Sequence, residues 1–288
     1  MVQSVGSEVK GLKVGDWVLP TAGAFGTWTQ YNKAPESELI QIANDIPAAY
    51  AATLSINPAT AYLLLRDFVQ LKPGDVIIQN GANSMVGLTV LQMAKEMGVK
   101  TINVVRDDRP DLLKTIRLLT NLGGDVNIPA SFLNSPDFKE MVSELSPIKL
   151  GLNCVGGEAT TDLARHLAPG ATLVTYGGMS RKHLTIPFDL LAYKQLQLKG
   201  FWIADWYNTH SVEERKAMYN EIIQLYKTEK LVNYFQMVDL DDFEYAMKQS
   251  QKPFAFRKIV LNIDYPDRFK EHDELDDDEY WHFDTTVR

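Results

Sequence analysis

Apolar and polar positions change period in a regular order along the chain. Val76-Ile77-Ile78 is a β-branched run of strand length, followed by a polar turn, Gln79-Asn80-Gly81-Ala82-Asn83-Ser84. Apolar residues then recur at Val86, Val90, Met93, Ala94 and Met97, the spacing of a helix face, until Gly98 closes it. Thr101-Ile102-Asn103-Val104-Val105 reads as a second buried strand. Residues 75–110 therefore have the strand, turn, helix, strand order of a dinucleotide-binding unit. The pattern continues beyond it. It predicts helices over 111–121, 136–145 and 158–167, and strands over 125–128, 149–154, 171–176 and 196–200. Such alternation implies an α/β fold built on a doubly wound parallel sheet.

The flanks read differently. Short turn-separated strands over 15–20, 26–31 and 39–42 predict a small antiparallel β unit. An alanine-rich helix follows over 46–54, and Asn57-Pro58 starts another that runs to Phe68. Residues 212–227 form an amphipathic helix with Glu213 and Glu214 in its first turn. Residues 234–238, 240–249 and 257–262 give strand, helix and strand. From Tyr265 onward periodicity is lost in a charged tail, expected to be disordered or loosely docked.

Composition narrows the possibilities. At 288 residues, with 45% hydrophobic and 23% charged residues, the chain is long enough for a sizeable core. No apolar run approaches the roughly 18 residues of a membrane span. Ten acidic and three basic residues fall in 264–288, so most of the net charge of −8 belongs to the tail and the body is nearly neutral. No basic stripe suggests nucleic acid. A lone cysteine, Cys154, excludes an intrachain disulfide and a cysteine-rich zinc site, and the five histidines have no ligand spacing.

The chemistry concentrates at predicted strand ends, where open α/β sheets bind ligands. The glycine pattern is incomplete, with Gly81 and Gly87 flanking Asn83, Ser84 and Met85. Ser84 suits a helix cap, and Gly87 suits close helix–strand packing. Arg106 ends the second strand, where an NAD site places an acid for the ribose hydroxyl. Arg106 with Arg109 instead suits a 2′-phosphate, so the site reads as NADP(H)-preferring. The alternative is that both arginines are solvated loop residues. Gly156-Gly157 and Gly177-Gly178 follow two further strands. Cys154 suits core packing better than nucleophilic attack.

Six segments occur in order: 57–62 (NPATAY), 79–84 (QNGANS), 101–106 (TINVVR), 152–157 (LNCVGG), 175–179 (TYGGM) and 200–202 (GFW). Together they resemble the mitochondrial trans-2-enoyl-CoA (enoyl-acyl-carrier-protein) reductases, zinc-independent medium-chain dehydrogenase/reductases. The resemblance covers about residues 2–261. It implies a Rossmann domain at 58–200 inserted into a GroES-like catalytic domain at 1–57 and 201–263, with 264–288 as a tail. It also implies NADPH-dependent reduction of an enoyl-CoA or enoyl-acyl-carrier-protein substrate, a mitochondrial setting and a homodimer.

By position, the family's cofactor contacts fall on Asn57, on Asn83, Ser84, Met85 and Val86, and on Arg106, Asp107 and Arg109. They continue on Tyr176, Gly177, Gly178 and Met179, on Phe201, Trp202, Ile203 and Ala204, and on Lys258. Tyr176 and Phe201 also suit core packing, Asn57 a helix cap, and Lys258 a solvated strand edge. Trp202 and Trp206 suit an acyl channel or a seam between domains. Three departures stand out: Met85 replaces a glycine of the relatives, 106–109 carries an extra residue, and the tail is foreign. The family's tyrosine proton donor belongs to a segment upstream of the matched residues. The expectation is thus an N-terminally incomplete catalytic domain, and no catalytic residue is assigned. Tyr62 reads as a packed ring on a helix rather than a substitute donor. Two other readings stay open: a quinone or alkenal reductase of the same superfamily, and a non-catalytic binding partner.

Overall fold

The computed structural model describes residues 1–21, 25–252 and 257–263, so the acidic tail lies outside the described residues. In chain order the first elements are β1 (Trp17–Pro20), β2 (Leu39–Ile42), α1 (Ala48–Thr53), α2 (Asn57–Leu64), β3 (Val76–Asn80) and α3 (Met85–Glu96). Then come β4 (Lys100–Val105), α4 (Leu112–Asn121), β5 (Val126–Pro129), α5 (Pro136–Ser143), β6 (Ile148–Asn153), α6 (Glu158–Arg165) and β7 (Thr172–Thr175). The last are α7 (Phe188–Ala192), β8 (Gln197–Gly200), α8 (Ile203–Thr209), α9 (Val212–Lys227), β9 (Phe235–Asp239), α10 (Phe243–Ser250) and β10 (Lys258–Asn262).

Six strands make one parallel sheet in the order β5-β4-β3-β6-β7-β8. A strand covered on both faces needs no polar alternation, and every residue of β3 is buried accordingly. On one face Val76, Ile78, Ile102, Val104 and Ile128 pack with Phe138, Leu163 and Leu167. The helix α3 is buried from Met85 to Ala94, which makes it a core helix rather than a surface one. Strand order reverses between β3 and β6, so this is the doubly wound sheet that the periodicity predicts.

The chain divides into two compact units, 54–233 and a second made of 1–53 with the segment from Tyr234 onward. The resemblance implies that 201–233 lies outside the nucleotide domain, whereas here it belongs to the same compact unit as the sheet. Helix α9 opens with a capping box: Ser211 Oγ accepts from Glu214 N at 3.2 Å, and Glu214 Oε2 accepts from Ser211 N at 2.8 Å. Its buried face carries Met218, Tyr219, Ile222, Ile223 and Tyr226. Gln92 on α3 then grips the following segment twice. Its Nε2 donates to Val232 O at 3.0 Å, and its Oε1 accepts from Val232 N at 2.9 Å. Asn233 donates to Tyr226 Oη at 2.5 Å and accepts from Thr89 Oγ1 at 3.3 Å.

In the other unit β1 and β2 pair antiparallel, with Trp17 opposite Ile42. Strands β9 and β10 pair in parallel, with Lys258 opposite Phe235. The strand expected over 26–31 is absent, because its aromatic positions bury nothing: Trp28 and Tyr31 are exposed. Local bonds fold it instead, with Thr29 Oγ1 donating to Tyr31 O at 3.0 Å and Asn32 Nδ2 to Phe25 O at 2.8 Å. The short helices α7 and α8 have too few turns to show a period and go unpredicted.

Asp75 ties the entry to β3. Its carboxylate accepts from Lys149 Nζ at 2.6 Å and from Lys72 N at 2.9 Å. The Lys149 bond, then the Lys72 bond, hold its pKa below the usual carboxylate value. A lowered folded pKa stabilises above the unfolded pKa and is lost as pH falls through the folded one. Asp75→Asn is expected to cost about 0.5–1 kcal/mol at pH 7, read from urea midpoints. That gap should close on acidification below the ordinary carboxylate range.

Candidate functional site

Two rows of side-chain amides cross the sheet near its carboxyl edge. On the α3 face Gln79 Nε2 donates to Asn103 Oδ1 at 2.7 Å and to Gly87 O at 3.0 Å. Asn103 Nδ2 donates onward to Asn127 Oδ1 at 2.9 Å. On the opposite face Asn80 Nδ2 donates to Asn153 Oδ1 at 2.8 Å, and Asn153 Nδ2 donates to Thr175 Oγ1 at 3.1 Å. The ends of β3, β4, β5, β6 and β7 are thereby cross-linked through side chains as well as backbone.

The turn after β3 rests on this edge. Gly81 has φ +61°, and a Cβ there would stand 2.4 Å from Cys154 Sγ, so both backbone and space demand glycine. Ser84 caps α3, its Oγ accepting from Gly87 N at 3.1 Å. A Cβ on Gly87 would meet Ala82 backbone at 2.5 Å, so the close helix–turn packing read from the sequence is present. Met85 is buried as the first residue of α3, so its bulk points inward. Its N–H and that of Val86 have no intrahelical acceptor by position, and the first turn carries no acid. Partial positive charge is thus presented at the helix end without an internal counter-charge.

At the end of β4 the two arginines part company. Arg106 is largely exposed and lies 3.6 Å from Asp108. Arg109 is buried, and its guanidinium forks onto Asp111 at 2.7 and 2.9 Å. Burial works against the Asp111 charge, but the Arg109 bond and charge outweigh it and keep its pKa low. Asp107 accepts from Ser131 N at 3.1 Å and from Ser131 Oγ, pinning the loop to the segment after β5.

At the end of β7, Tyr176, Gly177, Gly178 and Met179 form a second loop. Cys154 O accepts from Met179 N at 2.9 Å, and a Cβ on Gly177 would press on Cys154 at 3.3 Å. Gly178 has open space where a Cβ would stand, and Met179 is exposed. Tyr176 Oη is buried against the Cys154 thiol and Ser84. Burial, then the adjacent Cys154, raises the Tyr176 pKa well above its ordinary value, and burial raises that of Cys154. Beyond β8, Phe201 meets Phe68 edge to face at 5.8 Å, Trp202 is exposed, and Ile203 and Ala204 open α8.

The fold therefore gathers Asn83 to Val86, Arg106 to Arg109, Tyr176 to Met179 and Phe201 to Ala204 at the carboxyl edge of one sheet. Asn57 is the first residue of α2 in this same unit; the N-cap position is Ile56, so Asn57 is not the helix cap. Lys258 belongs to the other unit, on β10. Sequence reading missed Asn80 and Asn153. The available signal was an amide closing each of two aliphatic runs.

A separate groove on the same unit is lined by Tyr62, Arg66, Asp67, Trp206, His210 and Glu214. Trp206 Nε1 donates to Asp67 at 3.1 Å, and its ring stacks on His210 at 3.9 Å. Burial, then a Glu221 bond, pushes the Tyr62 pKa up to about 12; the ring is half-buried at the groove, with the Arg66 guanidinium 4.1 Å from its centroid. Among the described residues no group of three or more His, Cys, Asp or Glu could hold a metal ion.

The edge suits a phosphorylated dinucleotide. An acid-free helix end and an open glycine loop occupy one rim. Comparison with known proteins agrees. The profile described as zinc-binding dehydrogenase matches residues 86–223. The mitochondrial enoyl-[acyl-carrier-protein] reductase of Dictyostelium discoideum is 43% identical over 264 residues, covering 91% of this chain and 75% of that protein. A mutant enoyl thioester reductase from Candida tropicalis superposes with a TM-score of 0.81 at 32% identity, over 90% of this chain and 76% of that one. The Etr1p complex with NADP and crotonyl-CoA gives 0.81 at 33% identity, over 86% and 74%. With that identity carried across most of both lengths, the chain belongs to the mitochondrial enoyl-[acyl-carrier-protein] reductase family.

Proposed function

We propose that this protein reduces trans-2-enoyl thioesters with NADPH, in mitochondrial fatty-acid synthesis. The observation that carries the reading is the convergence, on one sheet edge, of the acid-free α3 end, the Arg106 loop and the open Gly177-Gly178 loop. NADPH, when bound, would supply the hydride for the β-carbon of the substrate, and a proton delivered to the α-carbon completes the reduction. The chain's residues hold and orient. The Met85 and Val86 N–H groups receive the pyrophosphate, and Arg106 receives the 2′-phosphate through a charge-assisted contact. Arg109, seated on Asp111, and Asp107, tied to Ser131, fix the loop that presents Arg106. Tyr176 to Met179 border the nicotinamide half, where Gly178 leaves backbone approachable. Asn57 and the segment Phe201 to Ala204 complete the proposed set on this unit. The unit from 1–53 with the segment after Tyr234 takes the GroES-like role in this reading.

Two kinds of substrate separate the reading from its rivals. With NADPH, crotonyl-CoA is expected to turn over and a simple quinone is not. Quinone turnover alone would place the protein with the quinone reductases, and cofactor binding without turnover of either would favour a non-catalytic partner. NADPH should bind more tightly than NADH. Arg106→Gln should weaken NADPH about ten- to hundredfold and leave NADH within about threefold, measured by fluorescence titration.

The proposed homodimer has a suitable surface on this unit. Strand β8 is the sheet edge, and all four of its residues are exposed. Leu198 lies on it, with Phe188 and Tyr193 exposed nearby in sequence. A bare edge flanked by apolar side chains pairs readily with a second edge. Leu198→Lys is expected to shift a dimer to monomer by light scattering. An unchanged mass would exclude this edge.

A further inference from the structure

The two halves of the carboxyl edge are coupled by an amide pair. Asn80 closes β3 just before the phosphate-side turn, and Asn153 closes β6. Both are almost fully buried. Asn80 Nδ2 donates to Asn153 Oδ1 at 2.8 Å, while Asn80 Oδ1 accepts from Cys154 N at 2.8 Å. Asn153 Oδ1 also accepts from Val155 N at 3.3 Å and Gly156 N at 3.2 Å. The turn 154–156 is therefore folded around these two side chains. That turn in turn carries the glycine loop: Cys154 O accepts from Met179 N, and Val155 O from Ser180 N, both at 2.9 Å. Tyr176 N donates to Asn153 O at 3.0 Å. Cys154 Sγ adds a longer contact to Asn80 O at 3.5 Å, so the turn meets β3 at the Asn80 position.

We propose that Asn80 and Asn153 are positioning residues that set the glycine loop, Tyr176 to Met179, against the phosphate turn at Gly81. The inference rests on the NADPH reading above and deepens it. Pairing at β3–β6 lies at the point where strand order reverses, and a dinucleotide spans that crevice with its adenosine half on the β4 side. Loss of the pair releases the 154–156 turn, leaving three backbone N–H groups without their acceptors. The β4 side, held by the separate Gln79–Asn103–Asn127 row, is untouched.

The test compares two probes on the full chain, NADPH and 2′,5′-ADP, by titration calorimetry. Asn80→Ala and Asn153→Ala are each expected to weaken NADPH about tenfold or more and leave 2′,5′-ADP within about twofold. The double variant should be no weaker than the weaker single, because the two side chains act as one device. Where an alanine variant does not fold, Asn80→Asp carries the test. It keeps the oxygen facing Cys154 N and sets a second acceptor against Asn153 Oδ1, so the same selective loss is expected. Equal weakening of both probes, or unchanged NADPH binding, overturns the proposal. A wild-type chain that binds neither probe instead overturns the NADPH reading, and this inference falls with it.

Discussion

Gln79, Asn80, Asn103 and Asn153 are buried in strands whose remaining residues are mostly aliphatic, and an amide taken out of water without partners costs about 1–3 kcal/mol. The sheet meets that constraint by placing amides opposite one another in register. Gln79 faces Asn103, and Asn103 faces Asn127. Asn153 faces Thr175. Among these four residues, Gln79 Oε1 is the one side-chain polar atom recorded as buried without a partner. The remaining bonds are made between strands that are already paired, so little extra ordering is needed to form them. Position along the strand matters as much as pairing. Because Asn80 and Asn153 are the last residues of β3 and β6, the loops that leave those two strands inherit fixed starting points.

Glycines make the arrangement sterically feasible. A Cβ on Gly124 would stand 2.4 Å from Asn127 Oδ1 and 2.7 Å from Asn103 Nδ2, inside the amide row itself. Gly81 and Gly87 allow the turn and the helix start to lie against Cys154 and Ala82. The missing glycine of the dinucleotide fingerprint is explained in the same terms. Its place holds Met85, which is buried and leaves its N–H at the helix end. A side chain that turns inward does not interfere with what the backbone presents.

Much of the fold was legible because its signals are local. The predicted strand at 76–78 and the helix ending at Gly98 appear as β3 and α3, since a buried strand and a core helix keep strong periods. The failures have physical causes. Residues 26–31 alternate like a strand but have no surface to bury against. The grouping of 201–233 with the sheet depends on Gln92 and Asn233, whose partners are far away in sequence. At the site, two arginines three positions apart looked equivalent. The acid at Asp111 takes Arg109 inward and leaves Arg106 on the rim. Asn80 and Asn153 were hidden for a similar reason, being 73 positions apart.

The two compact units differ in how the chain supplies them. One is a single uninterrupted stretch, 54–233, and the other joins 1–53 to a segment that begins at Tyr234. During synthesis, the uninterrupted unit has all of its own material once residue 233 has left the ribosome. The leading 53 residues must wait about 180 residues for theirs, roughly 10–35 seconds at ordinary elongation rates. Through that interval the early segment remains without its complement, so the order of emergence gives the parallel sheet the first opportunity to fold.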